Sequence, residues 1–371
     1  MHMTKHPIAT DDNVTTAHLT SYHYGAPGTG KKVYIQASLH ADEVPAMLVA
    51  HFLRQELERL DAEGRVKGEV ILVPVANPLG LSQVVHGTLF GRYDLNTGVN
   101  FNRAYHHVAD GLKESLAGRL GQDAQANVAL IREHARRSVA DWKVKDATGM
   151  LKKTLLGMAI DADYMLDLHC DNEAVLHMYA GTPLAAAVQP LSALMGARVV
   201  LLATQSGGEP FDEACGRLWW DLAAHFQEAA IPPACVAITV ELRGEMDVRY
   251  DYARQDAHAL LHYLAHAGVL DIPVQPLPKA LCKPTPLDAV EPLEAPHAGV
   301  LVFHKQLGDT VAAGEPIADI VNPVSGKVST VSASRPGLLF ASTAHRHLLR
   351  GMHVCKVAGS ESFRSGNLLS S

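Results

Sequence analysis

Three stretches of this chain carry residue types that could hold a metal and run a hydrolysis. His40-Ala-Asp-Glu43 follows the β-rich run Lys32–Ser38, and its imidazole and carboxylate are three residues apart across a strand-to-helix turn. That spacing can bring both groups to one ion. Asp167-Leu-His169 ends the run Tyr164–His169, and Glu241 lies near the end of Cys235–Leu242. Ligands of open α/β sheets sit beyond the carboxyl ends of strands. Alone, each residue has an ordinary explanation: a hydrogen-bonded histidine near a strand end, or a glutamate paired with Arg243. Together, His40, Glu43 and His169 match a His-Glu-His zinc set, which leaves a fourth position for water. Zinc brings the pKa of such a water to about 7. A carboxylate that does not bind the ion can then move the proton to a leaving nitrogen. Glu241 is the candidate.

The elements that must position these groups read as alternating strands and helices. Lys32–Ser38, Glu69–Ala76, Tyr164–His169 and Cys235–Leu242 are expected strands. Asp42–Leu60 has apolar residues near helical spacing, with Asp42 as an N-cap and Pro45 in the first turn. Residues 123–158, Leu184–Met195, Phe211–Ala230 and Ala253–His266 are further expected helices. The pattern predicts an α/β domain with a parallel or mixed sheet. Residues 1–30 read as a leader into the first strand. Near residue 271 the texture changes: Asp271–Pro296 is rich in proline and reads as a linker or crossing segment. Short β-runs between Gly and Pro turns follow, from about Glu294 to Val357, as expected of a small all-β module. Gly359–Ser371 reads as a frayed tail. The division expected is a catalytic domain over 1–275 and a Pro-rich linker with a C-terminal β-module over 276–371.

Composition narrows the class. The chain has 371 residues, 47% hydrophobic and 19% charged, which excludes a mainly disordered polymer and suggests two or three domains. A formal net charge of −7 makes nucleic acid an unexpected partner. No run of 18 apolar residues marks a membrane span, and Met1–Asn13 lacks the apolar core of a signal peptide. Five cysteines without a C-x-x-C pair point to a reducing, cytoplasmic setting. Twenty-one histidines are many for this length, and metal binding would use some of them. Two patterns are set aside. Gly25–Lys31 has P-loop spacing, but Lys32 stands where Ser or Thr is needed and the run precedes a strand. His106-His107 and His345-Arg-His347 have no carboxylate at suggestive spacing and read as surface pairs.

HADE at 40–43, NFNR at 100–103, DLH at 167–169 and VEL at 240–242 resemble, in order and spacing, the succinylglutamate desuccinylase/aspartoacylase family. The resemblance covers roughly residues 30–270. It implies a zinc-carboxypeptidase-like mixed sheet flanked by helices. It also implies one zinc per chain on His40, Glu43 and His169, with Glu241 as general base and acid. Asn102 and Arg103 would grip a substrate carboxylate, for which an Arg fork beside an amide is suited. Arg92 would stabilise the oxyanion. Two positions depart from the family pattern. Ala41 replaces a usual glycine, and Asn100 replaces an aspartate that can orient a zinc-binding histidine. Asp94-Leu95-Asn96 mimics the motif but is followed by Thr97 where arginine is needed.

The C-terminal module resembles a biotinyl/lipoyl-type barrel-sandwich, with Lys327 after Gly326 in a turn but without a carrier signature around it. A structural role, shaping the pocket mouth or a subunit contact, is expected. The function expected is a zinc-dependent amidohydrolase acting on the amide of an N-acyl amino acid or a similar small carboxylate. A homo-oligomer is compatible with the sequence. The alternatives are a zinc carboxypeptidase acting on peptides, and a non-catalytic carrier or binding protein.

Overall fold

The structure is a computed structural model that describes residues 1–9 and 14–369. Its centre is a mixed sheet of nine strands. In spatial order these are His2–Ile8, Ala17–Gly25, Glu69–Val73, Lys32–Ala37, Tyr164–Asp171, Val236–Gly244, His177–Gly181, Val199–Ala203 and Thr285–Pro286. The middle strands run parallel, from Glu69–Val73 to Val236–Gly244. His177–Gly181 is antiparallel to Val236–Gly244.

The central strands are apolar on both faces because both faces are covered. Side chains alternate along a strand. Val33, Ile35, Leu166, Leu168, Ile238 and Val240 join one core, under helices Pro45–Ala62, Ala185–Met195 and Tyr250–His266. Tyr34, Met165 and Ala237 join the other, with Phe211, Leu218 and Trp219 of helix Phe211–His225 and with Leu151 and Leu155 of helix Ala147–Ala159. The same alternation aligns polar groups. Gln36, Asp167 and Thr239 are register neighbours, as are His169 and Glu241. All five have the parity of the second face.

Several expectations need correction. Residues 1–30 are not a leader: His2–Ile8 and Ala17–Gly25 form an antiparallel pair that extends the sheet through Glu69–Val73. Residues 10–13 of that stretch lie outside the described residues. Helix Pro45–Ala62 starts after Val44 with no side-chain cap, so Asp42 is not its N-cap. The Gly25–Lys31 run, by contrast, is the Gly/Pro turn expected of it, lying between strands with positive φ at Gly25 and Gly28. The tail is not frayed through Leu369. Phe363 N–H donates to Asp288 O (3.2 Å) and Leu368 N–H to Ser206 O (2.8 Å); Ser370 and Ser371 lie outside the described residues.

Part of the Pro-rich segment crosses back onto the molecule, since Thr285–Pro286 pairs with Val199–Ala203. Two smaller sheets follow. One joins Val290–Glu294, His353–Ala358, Gly337–Ser342 and Thr310–Val311; the other joins Val328–Ser332, Pro316–Val321, Gly299–Phe303 and His347–Leu348. They share a core of Leu301, Ile317, Ile320, Leu339, Val354 and Val357. Lys327 is exposed at the turn before Val328–Ser332. This region is tied to the large sheet. Gly337–Ser342 pairs with Glu173–Ala174, Arg346 reaches both oxygens of Glu173, and Lys356 Nζ lies 2.6 Å from Asp171 Oδ2.

Candidate metal centre

Strand Lys32–Ala37 ends in a tight reversal that delivers His40 and Glu43. Ser38 takes a left-handed φ of 58°, a strained conformation for a residue with a Cβ. Two bonds hold it there: Ser38 N–H donates to Leu168 O (3.2 Å) and Ser38 Oγ to Glu43 O (2.7 Å). Ala41, between the two ligands, is approached closely by Gly91. Ala41 N–H donates to Gly91 O (3.1 Å), and a Cβ on Gly91 would fall 2.6 Å from the Ala41 carbonyl carbon.

His40, Glu43 and His169 converge and are buried, with ligand atoms within 4.8 Å of one another. Glu43 Oε1 is 2.8 Å from His40 Nδ1, and Glu43 Oε2 is 2.6 Å from His169 Nδ1. The outer nitrogens are committed elsewhere. His40 Nε2 lies 2.9 Å from Asn100 Oδ1, and His169 Nε2 lies 3.0 Å from Asp167 Oδ2. Asn100 Oδ1 and the Asp167 carboxylate can only accept, so both Nε2 atoms carry the hydrogen. As neutral rings they would turn bare Nδ1 lone pairs towards a carboxylate, so the space between needs a proton or a cation. This donor set, with outer partners on both histidines, fits zinc.

The electrostatics agree. Burial works against a charged His169, but Asp167 and Glu43 on its two sides outweigh it and hold its pKa well above the ordinary value. Burial likewise opposes the Glu43 carboxylate, and the two histidines outweigh it, holding Glu43 far below its usual range. A positive charge is therefore stabilised at this point of the fold. Asp167 is itself braced: Gln36 Nε2 donates to its Oδ1 (2.9 Å), and Tyr34 Oη donates to Gln36 Oε1 (2.9 Å).

The other predicted residues surround the triad unequally. Arg92 Nη1 is 3.3 Å from His40 Nδ1 and 3.6 Å from Glu43 Oε1, with its side chain 37% exposed. It thus joins the centre to an open side. Glu241 sits beside His169 on the next strand; its Oε2 is sealed from solvent with no hydrogen-bond partner. Burial first, then the charge of Glu43, pushes its pKa up to about 8. It does not pair with Arg243, which is bound to Asp256. Asn102 is engaged inside the protein: Oδ1 accepts from Phe211 N–H (2.9 Å), and Nδ2 lies 3.5 Å from His169 Nε2. Arg103 Nη1 donates to Asn102 O (2.7 Å), and Arg103 lines an open cavity of about 350 Å³ with Asn100, Tyr93, Gly207 and Gly208. Of the residues set aside, His107 Nε2 lies 2.9 Å from Asp221 Oδ2 and His106 Nε2 lies 3.1 Å from Ser138 Oγ.

Lys152 was missed by the sequence reading. Its Nζ donates to Asn100 O (3.1 Å) and Arg103 O (2.7 Å), fixing the loop that carries the partner of His40. Burial lowers its pKa to about 8. The signal was present: Lys152 interrupts the buried helical stripe of Thr148, Leu151, Leu155, Leu156 and Ala159.

Residues 29–141 match the model of the succinylglutamate desuccinylase/aspartoacylase catalytic domain. The resemblance to that family is therefore shown. A structure from Shewanella amazonensis SB2B, named for this family, aligns with 26% identity over 96% of this chain and 98% of its own, at a TM-score of 0.82. Another, from Shewanella frigidimarina NCIMB 400, aligns with 24% identity over 96% of both chains, at 0.83. The product-bound ectoine utilization protein EutE (DoeB) of Ruegeria pomeroyi shares the fold, with 19% identity over 96% of this chain and 94% of its own, at 0.64. Among curated proteins, none matches the sequence. The family is one of deacylating hydrolases. Among the described residues, no helix is long and apolar enough to cross a membrane.

Proposed function

We propose that this chain is a zinc-dependent amidohydrolase that cleaves the amide of an N-acyl amino acid or a similar small carboxylate. The observation that carries the reading is the buried convergence of His40 Nδ1, His169 Nδ1 and the Glu43 carboxylate, with both Nε2 atoms held from outside. These three residues would hold one zinc per chain. When bound, zinc supplies a Lewis acid and an acidified water. Glu241 takes the proton of the attacking water and returns it to the leaving nitrogen; its unpartnered Oε2 and raised pKa suit a group that must hold a proton at neutral pH. Arg92 donates to the carbonyl oxygen as negative charge develops there. Arg103, in the cavity wall, takes the substrate carboxylate, and Asn102, whose Oδ1 accepts from Phe211 N–H, holds the loop that presents Arg103 beside it.

The same reading takes residues 1–275 as the catalytic domain, with a zinc-carboxypeptidase-like sheet, and residues 276–371 as linker and barrel-sandwich module. Five cysteines without a disulfide support a reducing, cytoplasmic setting. The test is elemental analysis of wild type and His169→Ala, followed by turnover of N-acyl amino acids. About one zinc per chain, lost in the variant, is expected. Metal-free wild type after careful handling, or a loaded protein that releases no amine from any N-acyl amino acid, would sink the reading.

A further inference from the structure

The C-terminal segment Phe363–Leu369 returns from the β-module to the catalytic region, and several bonds hold it there. Phe363 and Arg364 N–H groups donate to Asp288 O (3.2 and 3.1 Å), and Arg364 Nη1 donates to Val290 O (3.1 Å). Arg364 Nη2 closes the segment on itself by donating to Leu368 O (3.1 Å). Beyond this anchor, Leu368 N–H donates to Ser206 O. Asn367 then lies against Gly207 so closely that a Cβ there would collide with Asn367 Oδ1. On the next residue, a Cβ would fall 2.7 Å from Arg103 Cδ. The loop between tail and arginine is firm, since Ala104 N–H donates to Gly208 O (2.7 Å) and Tyr105 N–H to Glu209 O (3.0 Å). The contacts therefore run from tail to glycine pair to Arg103 without a gap.

Asn367 and Leu369 themselves line the cavity that holds Asn100 and Arg103. Leu369 also lines a second cavity, with Tyr179, Asp212 and Trp220, so it stands between the two spaces. We propose that the segment Phe363–Leu369 is a wall of the substrate cavity and that Asn367 is a specificity-determining residue for the group that enters it. This rests on the amidohydrolase reading for the nature of the substrate. The wall is polar where Asn367 lines the cavity that Arg103 also lines, and apolar where Leu369 separates the two spaces. It suits a compact, carboxylate-bearing group and excludes a bulky one.

The test uses the full zinc-loaded protein, a variant ending at Ser365, and Asn367→Ala in case the truncation fails to fold. The first readout is the ratio of kcat/KM for N-benzoyl over N-acetyl amino acids. Truncation is expected to raise this ratio about tenfold, the scale of discrimination that pocket shape supplies. Asn367→Ala is expected to move it the same way by about threefold. Ratios within about twofold of wild type in both variants would overturn the proposal. The second readout is hydrogen exchange, which needs no turnover. The Leu368 amide is expected to be protected in wild type, and deletion is expected to speed exchange in segments 93–104 and 204–210. A tail exchanging like free chain, or unchanged exchange on deletion, also overturns the wall. If wild type turned over no N-acyl amino acid, the function would fail, and the exchange result alone would still decide the wall.

Discussion

Replacing Asn100 tests how the centre is held. The Asn100 amide oxygen sits 2.9 Å from His40 Nε2 and also accepts from Asn102 N–H (2.8 Å), so it fixes both the ring and the loop. Its amide nitrogen is buried without a partner. A neutral buried hydrogen bond contributes about 1 kcal/mol, and one to a charged acceptor about twice that. Asn100→Ala removes the ring's outer partner, and outer partners of metal-binding histidines are worth about 10–100-fold in metal affinity. Asn100→Asp strengthens the bond by about 1 kcal/mol and adds a negative charge near the ion. About 1.4 kcal/mol corresponds to tenfold, so the stronger bond should tighten zinc binding about fivefold. The same charge joins Glu43 and Asp167, so metal-free Asn100→Asp should melt below metal-free wild type. Zinc affinity is read by competition with a chromophoric chelator, and melting by circular dichroism with and without zinc. An Asn100→Ala affinity within twofold of wild type would refute the orienting role. Weaker zinc binding in Asn100→Asp would show that repulsion among the carboxylates outweighs the stronger histidine bond.

Other perturbations probe separate parts of the site. Glu241→Gln should retain zinc and lose about 10²–10⁴-fold in turnover, the usual range for a general acid–base group; near-normal turnover would remove Glu241 from the mechanism. Saturating zinc at about 100 times its dissociation constant should raise stability by about 2.7 kcal/mol over the chelated protein. Urea unfolding in zinc and in chelator checks this, and coincident curves would argue against a specific centre. Lys152 has a folded pKa of about 8, below its unfolded value of about 10.4, so the unfolded chain binds more protons between those pH values. Wild-type stability should therefore rise relative to Lys152→Met by up to about 3 kcal/mol from pH 8 to 10. Denaturation curves at the two pH values test this, and parallel pH profiles would contradict the burial argument.

The centre was legible in the sequence because its ligands lie in short motifs at strand ends, where the period-two alternation fixes which face each side chain takes. His169 and Glu241 could be paired in advance only as strand-end residues; the register that makes them neighbours is set by the sheet. Strands Lys32–Ala37, Tyr164–Asp171 and Val236–Gly244 are rich in apolar and β-branched residues and are legible within a few residues. The N-terminal pair was not. His2–Ile8 and Ala17–Gly25 are studded with His, Lys and Thr, because an edge pair needs little apolar surface once its partner strand supplies the ladder. Strands His177–Gly181 and Val199–Ala203, five residues each, are too short to show a period, and unlike Glu69–Val73 neither runs into an Asn-Pro stop such as Asn77-Pro78.

What the sequence could not show is how the distant C-terminal residues meet the centre. Lys356 lies 185 positions after Asp171, yet its Nζ is 2.6 Å from that carboxylate, two residues beyond His169. Asp171 is a half-buried acid at the rim of an already anionic cluster. Burial opposes its charge, and Lys356 outweighs burial, holding the Asp171 pKa down to about 2. Neither residue announces the other: a lysine on a short strand of a β-module reads as a solvated side chain. Withdrawing either charge from water without its partner is costly, so the pair favours a single placement. The pairing therefore commits the C-terminal sheets to one docking on the catalytic region. Strand Gly337–Ser342 against Glu173–Ala174 and Arg346 on Glu173 reinforce the same placement. A β-module docked by such contacts is positioned closely enough for its trailing segment to line the cavity beside Arg103.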